Sequence, residues 1–328
     1  MRLVCFQRYR YRALGALLGE RLVDLAAAAS AWLGIEHADP FYEQEVALRL
    51  PADIAQFLTG GVPSRALAEA ALAFASRTPT GIAGEPLFVD VSEVKLLPLK
   101  APLILAGGAQ FKTSQGNESA AHREFFMRNP LNALGASDLS QLPTWLGDDF
   151  TVAPRLAVVI GERLQRASHA EARAAIYGYC AAMDLCAQQL ETISWAGPMF
   201  HLQYPHARNF DGSLILSPVI VSRDEAGEPD ALTAQLLMDE ERVYDGPIPG
   251  RWHEVISWIA ELSQVVTLQP GTLLIPGAAE TTIVQPAAST SRPAELVIDS
   301  SARLSQLRRG ANLTLRISGF DAVTTRVG

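Results

Sequence analysis

The sequence has few cysteines, no long apolar run and no excess of positive charge. Its three cysteines, Cys5, Cys180 and Cys186, show no metal-ligand spacing and favour a reducing compartment. The formal charge of −8 gives no electrostatic basis for binding nucleic acid or an anionic membrane. No segment approaches the roughly 20 apolar residues that span a bilayer, and the N-terminus lacks the continuous apolar region of a signal peptide. These absences predict a soluble, cytoplasmic protein that binds neither nucleic acid nor membrane.

What is present indicates a globular chain in two parts. Of the 328 residues, 48% are apolar and 19% are charged, which is an ordinary balance for a packed core. Residues 1–97 are predicted to form a small N-terminal domain, and residues 98–328 a larger domain of short strands separated by Gly and Pro. The predicted strands are 1–6, 12–19, 21–25, 103–107, 156–161, 214–221, 232–238, 272–275, 295–299 and 312–318. The predicted helices are 25–33, 51–58, 65–76, 171–176 and 252–264.

Three motifs follow one another in the larger part. An apolar strand ends at Gly161, residues 178–184 read Gly-Tyr-Cys-Ala-Ala-Met-Asp, and residues 208–212 read Arg-Asn-Phe-Asp-Gly before Pro218. This order resembles the fumarylacetoacetate hydrolase family, in which an apolar-Ile-Gly strand precedes Gly-Tyr-x-x-x-x-Asp and Lys-x-Phe-Asp. The resemblance implies a mixed, β-rich α/β fold, with rolled mixed β-sheets in the larger domain and a small β-rich N-terminal domain. It also implies a homodimer and a small-molecule substrate.

The metal ligands of the family are missing from the matching positions. Members hold Mg²⁺ or Mn²⁺ with a Glu-x-Glu strand and the Asp of the Gly-Tyr motif, because a hard dication prefers carboxylate oxygens and a strand places residues i and i+2 on one face. Here the two Glu positions fall on Ala153 and Arg155, and only Asp184 matches a ligand. No cofactor is therefore expected. Mg²⁺ or Mn²⁺ is expected only if Asp184 has co-ligands that the motifs do not reveal.

Arginines occupy two positions at which the resemblance implies a metal ligand and a lysine. Arg155 occupies the second Glu position and Arg208 the Lys position, and both face Asp184 in the implied arrangement. An inward guanidinium offers N–H donors to an oxyanion or carboxylate. The alternative is a structural Arg155–Asp184 pair that neutralises a buried carboxylate without touching a ligand.

The general base of the family is also replaced. Its Gly-x-Asn-Tyr-x-x-His motif aligns with residues 108–114, so the His position is Ser114. Glu118 and His122 are four residues apart and would share one face of a helix as a substitute dyad. His201 and His206 are further acid–base candidates, because histidine titrates near neutral pH. In each case the alternative is an ordinary surface residue. The residues predicted to bind substrate are Gln110, Phe111, Lys112, Ser114, Arg128 and Ala278, the last at the position of the family's substrate-binding threonine.

Three functions are compatible with these replacements. The first is a metal-independent enzyme acting on a keto acid or a β-dicarbonyl-like compound by C–C hydrolysis, decarboxylation, dehydration or isomerisation, with Arg155 and Arg208 stabilising an enolate or carboxylate. The second is a non-catalytic protein that binds a small molecule or has a structural role. The third is a conventional Mg²⁺-dependent acylpyruvase or fumarylacetoacetate-type hydrolase, which requires a different register of the 150–161 strand. Sequence alone does not name the substrate.

Overall fold

The computed structural model describes residues 1–113, 122–188, 190, 205–277, 281–285, 295–298 and 305–328; within these ranges the side chains of 108–113, 122–124, 281–285 and 295–298 are not described. The fold is mixed α/β and rich in strands. The strands are β1 Arg2–Arg8, β2 Tyr11–Leu18, β3 Arg21–Asp24, β4 Phe88–Asp90, β5 Lys95–Leu96, β6 Ile104–Thr113, β7 His122–Arg128, β8 Ala133–Gly135, β9 Leu139–Ser140, β10 Phe150–Ile160, β11 Ile176–Ala187, β12 Leu214–Ser222, β13 Thr233–Met238, β14 Glu241–Pro247, β15 Leu273–Ile275, β16 Thr281–Gln285, β17 Glu295–Ile298, β18 Ser305–Gln306, β19 Asn312–Ile317 and β20 Val323–Val327. The helices are α1 Leu25–Ala31, α2 Tyr42–Arg49, α3 Ile54–Thr59, α4 Gly61–Arg77, α5 His169–Ala174, α6 Arg223–Ala226 and α7 Val255–Val265.

The strands form two mixed sheets. The larger sheet runs in the order β17-β16-β6-β15-β10-β11-β12-β1-β2-β3-β4, with β7 added to β6, β8 to β12, β18 to β10 and β5 to β1. The smaller sheet runs in the order β14-β13-β19-β20-β9. The N-terminal strands extend the larger sheet, because β1 pairs antiparallel with β12. The division of the chain at residues 97 and 98 stays a prediction.

The central strands β10 and β11 are buried along their whole length on both faces. Even-numbered residues of β10, such as Val152 and Val158, pack into a core with the smaller sheet and α7. The odd-numbered Ala157 and Val159 pack into a second core with the N-terminal helices. Such strands read as nearly continuous apolar runs. An arginine in β10 or an aspartate in β11 is therefore surrounded by protein rather than by water.

Gly178 shows why the Gly-Tyr motif of β11 begins with glycine. A Cβ atom at this position would collide with the carbonyl oxygen of Val221 on β12. The register of β11 and β12 also shifts between Cys180 and Ala182. The close approach of the two backbones thus excludes any side chain at residue 178.

Most predicted elements are confirmed, with shifts at their ends. The strand predicted from 156 begins earlier, at Phe150, and the helix predicted over 252–264 is α7 preceded by a 3₁₀ turn at Trp252–Glu254. The helix predicted to start at Pro51 begins at Ile54, because Asp53 caps it by accepting a hydrogen bond from the Gln56 amide. Within the described residues, no helix combines the length and apolar character needed to cross a bilayer.

The helical spacing considered for the substitute dyad does not apply at His122. The substitute dyad placed Glu118 and His122 on one helical face, but His122 begins β7, where it pairs with Phe111 of β6. The pairing of residues 122–128 with β6 decides the strand, and aromatic residues such as Phe125 and Phe126 favour it. The helical spacing therefore gives no support to a Glu118–His122 contact, and Glu118 lies outside the described residues.

Candidate functional site

The register of β10 and β11 places the predicted replacements beside Asp184. Ala153 lies directly opposite Asp184, and Arg155 lies opposite Ala182, two residues along on the same face. On its other side Asp184 pairs with Leu214 of β12. The two predicted positions thus lie beside Asp184, while their correspondence to the family's Glu-x-Glu stays a prediction. A methyl group and a guanidinium occupy the two positions next to the buried carboxylate.

A third arginine, Arg128 of β7, also contacts Asp184. Arg128 is the last residue of β7, which pairs with β6 through Ile104. Its Nη1 donates a hydrogen bond of 2.6 Å to Asp184 Oδ1. Its Nη2 donates one of 3.1 Å to Ser213 Oγ. Arg128 was predicted to bind substrate, and here both of its terminal nitrogens contact the protein.

Arg208 lies in a tight turn between β11 and β12. The turn is closed by hydrogen bonds from the Arg208 amide to the Pro205 carbonyl and from the Asn209 amide to the His206 carbonyl, both 3.2 Å. Ser213 Oγ, which accepts from Arg128, donates to the Arg208 carbonyl at 2.8 Å. One hydroxyl therefore connects the backbone of one arginine to the guanidinium of another.

Asn209 joins this turn to the segment that carries Arg128. Its side-chain oxygen accepts from the Asn129 amide at 2.9 Å, and its side-chain nitrogen donates to the Met127 carbonyl at 2.8 Å. Its own carbonyl accepts from the Asn132 side chain at 2.7 Å. Asn209 thus fixes the residues on both sides of Arg128 against the turn of Arg208.

The resulting arrangement is one carboxylate among three guanidinium groups. Asp184 Oδ2 lies 3.6 Å from Arg155 Nε and 3.8 Å from Arg208 Nε, while Oδ1 takes the short bond from Arg128. All four side chains are at most 8% exposed. The distances from Arg155 and Arg208 are those of ion pairs and exceed the range of hydrogen bonds. We call these four residues the Asp184 cluster.

The arginines determine the ionisation of Asp184. Burial alone raises the pKa of this carboxyl group, but the positive charges of Arg128, Arg208 and Arg155 and the hydrogen bond from Arg128 outweigh burial and hold the pKa below its usual value. Asp184 is therefore ionised at neutral pH. Among these four residues, three guanidinium groups thus surround one ionised carboxylate.

The donor set of the Asp184 cluster does not fit the Mg²⁺ or Mn²⁺ that the family resemblance implies. Asp184 offers a single carboxylate whose oxygens already face guanidinium groups, and Ala153 and Arg155 supply no ligand atom. Within the residues that the structure describes, no group of three or more His, Cys, Asp or Glu side chains is placed to hold a metal. A dication would also lie close to three guanidinium groups, whereas sites for Mg²⁺ or Mn²⁺ need several carboxylates or waters.

Of the predicted site residues, the structure brings together Arg155, Asp184, Arg208 and Arg128. His206 lies two residues before Arg208 in the same turn, but its side chain is exposed, and its ring centroid is 6.4 Å from that of Trp145. The backbone of Gln110, Phe111 and Lys112 lies in β6 and that of His122 begins β7; their side chains are not described. Ser114, Glu118, His201 and Ala278 lie outside the described residues. The roles predicted for all these residues stay predictions.

A loop next to the turn of Arg208 is held by an arginine from the C-terminal part. Arg309 donates from Nε to Asp148 at 2.7 Å and from its terminal nitrogens to the carbonyls of Leu142, Pro143 and Gly147 at 2.8–3.1 Å. The loop carries Trp145, whose ring lies near His206. Arg309 therefore holds this loop in place beside the turn that carries Arg208.

Sequence reasoning missed three features of this site. Arg128 was assigned to substrate, whereas it is the closest partner of Asp184, 56 residues away. Ser213 and Asn209 were not selected, although both position arginines of the Asp184 cluster. Asn209 lies inside the Arg208–Phe210 motif, so its position in that motif could have marked it as a site residue. Ser213 carries no local signal, because its role depends on which strands become neighbours.

Comparisons with known proteins agree with this fold. A profile of the family "Fumarylacetoacetate (FAA) hydrolase C-terminal" matches residues 106–328. Oxaloacetate tautomerase YcgM of Escherichia coli (strain K12) is 32% identical over 124 residues, 37% of this chain and 54% of that protein. Oxaloacetate tautomerase YisK of Bacillus subtilis (strain 168) is 24% identical over 196 residues, 57% of this chain and 63% of that protein. The matched regions thus span only about half to three-fifths of these two relatives.

A solved structure extends the likeness to the whole chain. Maleylpyruvate hydrolase from Sphingobium sp. SYK-6 superimposes with a TM-score of 0.65 at 17% identity, covering 100% of this chain and 99% of that one. The same enzyme has been solved in complex with manganese(II) ion and pyruvate, with a TM-score of 0.63 and 19% identity to this chain. At sequence identities this low, the solved structures show the fold alone. The family assignment rests on the profile, which covers more than half of the sequence. The chain belongs to the fumarylacetoacetate hydrolase family.

Proposed function

We propose that this protein is an enzyme that acts on a keto acid or a β-dicarbonyl-like small molecule and stabilises an enolate or carboxylate with arginine instead of a metal ion. The observation that carries the proposal is the Asp184 cluster, in which buried guanidinium groups occupy the region around the one matching metal ligand. The names of the two curated relatives support a keto acid as the substrate class. Tautomerisation of a keto acid is accordingly the first reaction to test.

The chemistry assigned to the cluster is electrophilic. When a base removes the proton from the carbon next to a keto group, the electron pair moves to the carbonyl oxygen and forms an enolate. N–H donors fixed before the reaction stabilise that developing negative charge, most strongly where water is excluded. Arg155 is the donor we assign to this oxygen, because its Nη1 is buried and has no hydrogen-bond partner among the described residues. Asp184 and Arg128 orient the other groups of the cluster.

A different group must carry the proton. Guanidinium groups stay protonated in proteins, so neither Arg155 nor Arg208 exchanges a proton with substrate. The predicted candidates for this step remain Glu118, His122, His201 and His206. Of these, the described part of the chain shows only the position of the His206 side chain, which is exposed in the turn that carries Arg208. Protonation of the enolate oxygen instead of carbon would complete a keto–enol tautomerisation.

The direct test is an assay of the purified protein with oxaloacetate and a panel of acylpyruvates in the presence of EDTA. We expect saturable turnover that falls about 10²- to 10³-fold in Arg155→Met, the usual effect of removing one oxyanion donor. Arg163→Gln, an exposed arginine beyond the end of β10, is the matched control and should keep full activity. Turnover that requires added Mg²⁺ would refute the proposal and support the conventional hydrolase.

One observation favours the non-catalytic alternative. Ala153 lies directly opposite Asp184, so the strand supplies neither a metal ligand nor an acid or base at that point. If the protein binds keto acids in calorimetry but turns over none of the panel in EDTA or in Mg²⁺, it is a binding protein rather than an enzyme. The predicted homodimer and cytoplasmic location are part of either proposal and are tested by light scattering and by cell fractionation.

A further inference from the structure

A cleft away from the Asp184 cluster lies between helix α4 and the larger sheet. Its volume of about 950 Å³ is near the upper end of the range typical of small-molecule sites. One wall is a stripe of α4, and the other sides are formed by the start of β11, the end of β12 and α6. Tyr177 of the cleft and Asp184 lie toward opposite ends of β11, roughly 20 Å apart at about 3.3 Å per strand residue. We call this space the α4 cleft.

Two residues of the α4 cleft offer donors to an oxygen atom. The guanidinium carbon of Arg65 lies over the Tyr177 ring, 5.7 Å from its centroid. Nη2 of Arg65 donates to Glu162 at 3.1 Å, while Nε is buried without a partner among the described residues. Burial raises the pKa of Tyr177, so the phenol keeps its proton at neutral pH, and its hydroxyl makes no hydrogen bond within the described part of the chain. Arg65 and Tyr177 together therefore suit a carboxylate.

The charge in the α4 cleft that lacks a counter-charge is negative. Each arginine that lines the cleft has a carboxylate partner: Arg2 with Glu225, Arg65 with Glu162, and Arg223 with Glu228. Glu69 lies one helical turn after Arg65 on α4, where the two side chains would be neighbours, but Arg65 pairs with Glu162 instead. Glu69 is exposed on the wall of the cleft and forms no salt bridge with the residues that the structure describes. This carboxylate suits an ammonium group.

Apolar side chains cover another part of the α4 cleft: Leu17, Leu18, Leu72 and Ile176. Leu18 is 45% exposed, and Leu72 is only partly buried on α4. The fold thus leaves apolar surface open to solvent inside a concave space, and an apolar ligand group that covers it gains the free energy of removing that surface from water.

We propose that the α4 cleft binds a zwitterion with a large apolar side chain, namely an α-amino acid such as tryptophan. The carboxylate of the ligand accepts hydrogen bonds from Arg65 and Tyr177, and its ammonium group pairs with Glu69. Its side chain lies against Leu18 and Leu72. The inference goes beyond the proposed function, because the site uses none of the residues of the Asp184 cluster.

Simpler ligands fit the α4 cleft less well. An anion without an ammonium group leaves Glu69 without a partner and places two negative charges near each other. An amine without a carboxylate leaves the donors of Arg65 and Tyr177 unused. The Cβ atoms of residues four apart on a helix are about 6 Å apart. An α-amino acid carries its two charges on neighbouring atoms of one carbon, so it can face Arg65 and Glu69 at once.

Isothermal titration calorimetry of the full chain tests the inference with four probes, each lacking at most one of the three features. L-Tryptophan has all of them, N-acetyl-L-tryptophan lacks the ammonium group, tryptamine lacks the carboxylate, and glycine lacks the apolar side chain. We expect L-tryptophan to bind at least about tenfold more tightly than each of the other three, because every lost feature removes a charge-assisted contact or apolar burial.

Two variants assign the contacts. Glu69→Gln should weaken binding of both L-tryptophan and tryptamine by about 3- to 10-fold, the effect of one exposed charged contact. Tyr177→Phe should weaken L-tryptophan by a similar factor and leave tryptamine unchanged, because only the carboxylate contacts the hydroxyl. Glu43→Gln, at an exposed position of α2 outside the α4 cleft, is the matched control and should change neither affinity.

Several outcomes overturn the inference. These are no binding of L-tryptophan at millimolar concentration, N-acetyl-L-tryptophan or tryptamine binding as tightly as L-tryptophan, or an unchanged L-tryptophan affinity in Glu69→Gln and Tyr177→Phe. A loss of L-tryptophan binding in Arg155→Met also overturns it, since that result would place the ligand at the Asp184 cluster. If Tyr177→Phe does not fold, Glu69→Gln at its exposed position and the comparison of probes on the unmodified protein decide.

Discussion

The Asp184 cluster makes an asymmetric prediction about stability. Asp184→Asn keeps the shape of the side chain but removes the one negative charge from among three buried arginines. Breaking a buried ion pair by removing one partner typically costs about 3–5 kcal/mol. Unfolding entropy is about 2.1 cal/mol/K per residue, so each kcal/mol corresponds to roughly 1.5 °C for a chain of 328 residues. We expect the Tm of Asp184→Asn to fall by about 4–7 °C.

Arg155→Met should act in the opposite direction. It leaves Asp184 with Arg128 and Arg208 as partners, and it also removes the Nη1 donor that has no partner among the described residues. Removing one partner of a buried ion pair is costly when it leaves the other charge unpaired, but here the carboxylate keeps two arginine partners. In buffer free of polyvalent anions the Tm should therefore stay unchanged or rise. The control is Glu93→Gln, which breaks the half-exposed Arg8–Glu93 pair and should shift stability by no more than about 0.5 kcal/mol.

Thermal melts of the two variants under identical conditions decide the question. A loss of stability in Arg155→Met as large as that in Asp184→Asn would refute the reasoning, since it would mean that Arg155 is a required structural partner of Asp184. Oxalate, a stable mimic of a keto-acid enolate, gives a second readout of the role proposed for Arg155. It should raise the Tm of the unmodified protein, because a ligand that binds only the folded state stabilises that state. It should raise the Tm of Arg155→Met less.

The pH dependence follows from the direction of the Asp184 pKa. The folded-state pKa lies below the usual value, so the unfolded chain takes up a proton on Asp184 before the folded protein does. The stability contributed by this carboxylate is therefore fully present above the unfolded pKa of about 3.9 and is lost as the pH falls through the folded pKa. The difference in Tm between the unmodified protein and Asp184→Asn should shrink in that acidic window. A difference independent of pH would contradict the assignment.

Three further predictions concern other parts of the fold. Burial raises the pKa of Asp24, so ionisation of this carboxyl group destabilises the folded protein as the pH rises above the pKa of the unfolded chain. Asp24→Asn removes this charge, and the asparagine side chain can still cap α1. We expect Asp24→Asn to raise the Tm at pH 7 but not at acidic pH. Arg309→Ala leaves three backbone carbonyls without their donor and should lower the free energy of unfolding by about 1–3 kcal/mol, measured by denaturant melts. The control is the same change at its exposed neighbour Arg308, which should lower it by less than about 0.5 kcal/mol. The double variant Ala153→Glu with Arg155→Glu places three carboxylates beside two guanidinium groups. Calorimetry should detect tighter Mn²⁺ binding by this variant than by the unmodified protein.

Local pattern was sufficient for most of the elements. Apolar runs bounded by Gly and Pro correctly predicted the central strands, because strands buried on both faces carry few polar residues. The family motifs also placed Ala153 and Arg155 beside Asp184, and the strand register confirms that placement. A shared helical face for Glu118 and His122 was only a possibility, because a spacing of four residues is compatible with a helix but does not require one. Pairing with β6 decided the strand at His122.

The sequence by itself determined the family, the strand-rich fold and the placement of Ala153 and Arg155 beside Asp184, because each depends on motifs that are short along the chain. Only the tertiary structure decided that Arg128 is the nearest partner of Asp184, and that Ser213 connects it to Arg208. These contacts join β7, β11 and the turn before β12, whose proximity depends on the order of strands in the larger sheet. The meeting of three arginines at Asp184 is for this reason a property of the fold and not of any single motif.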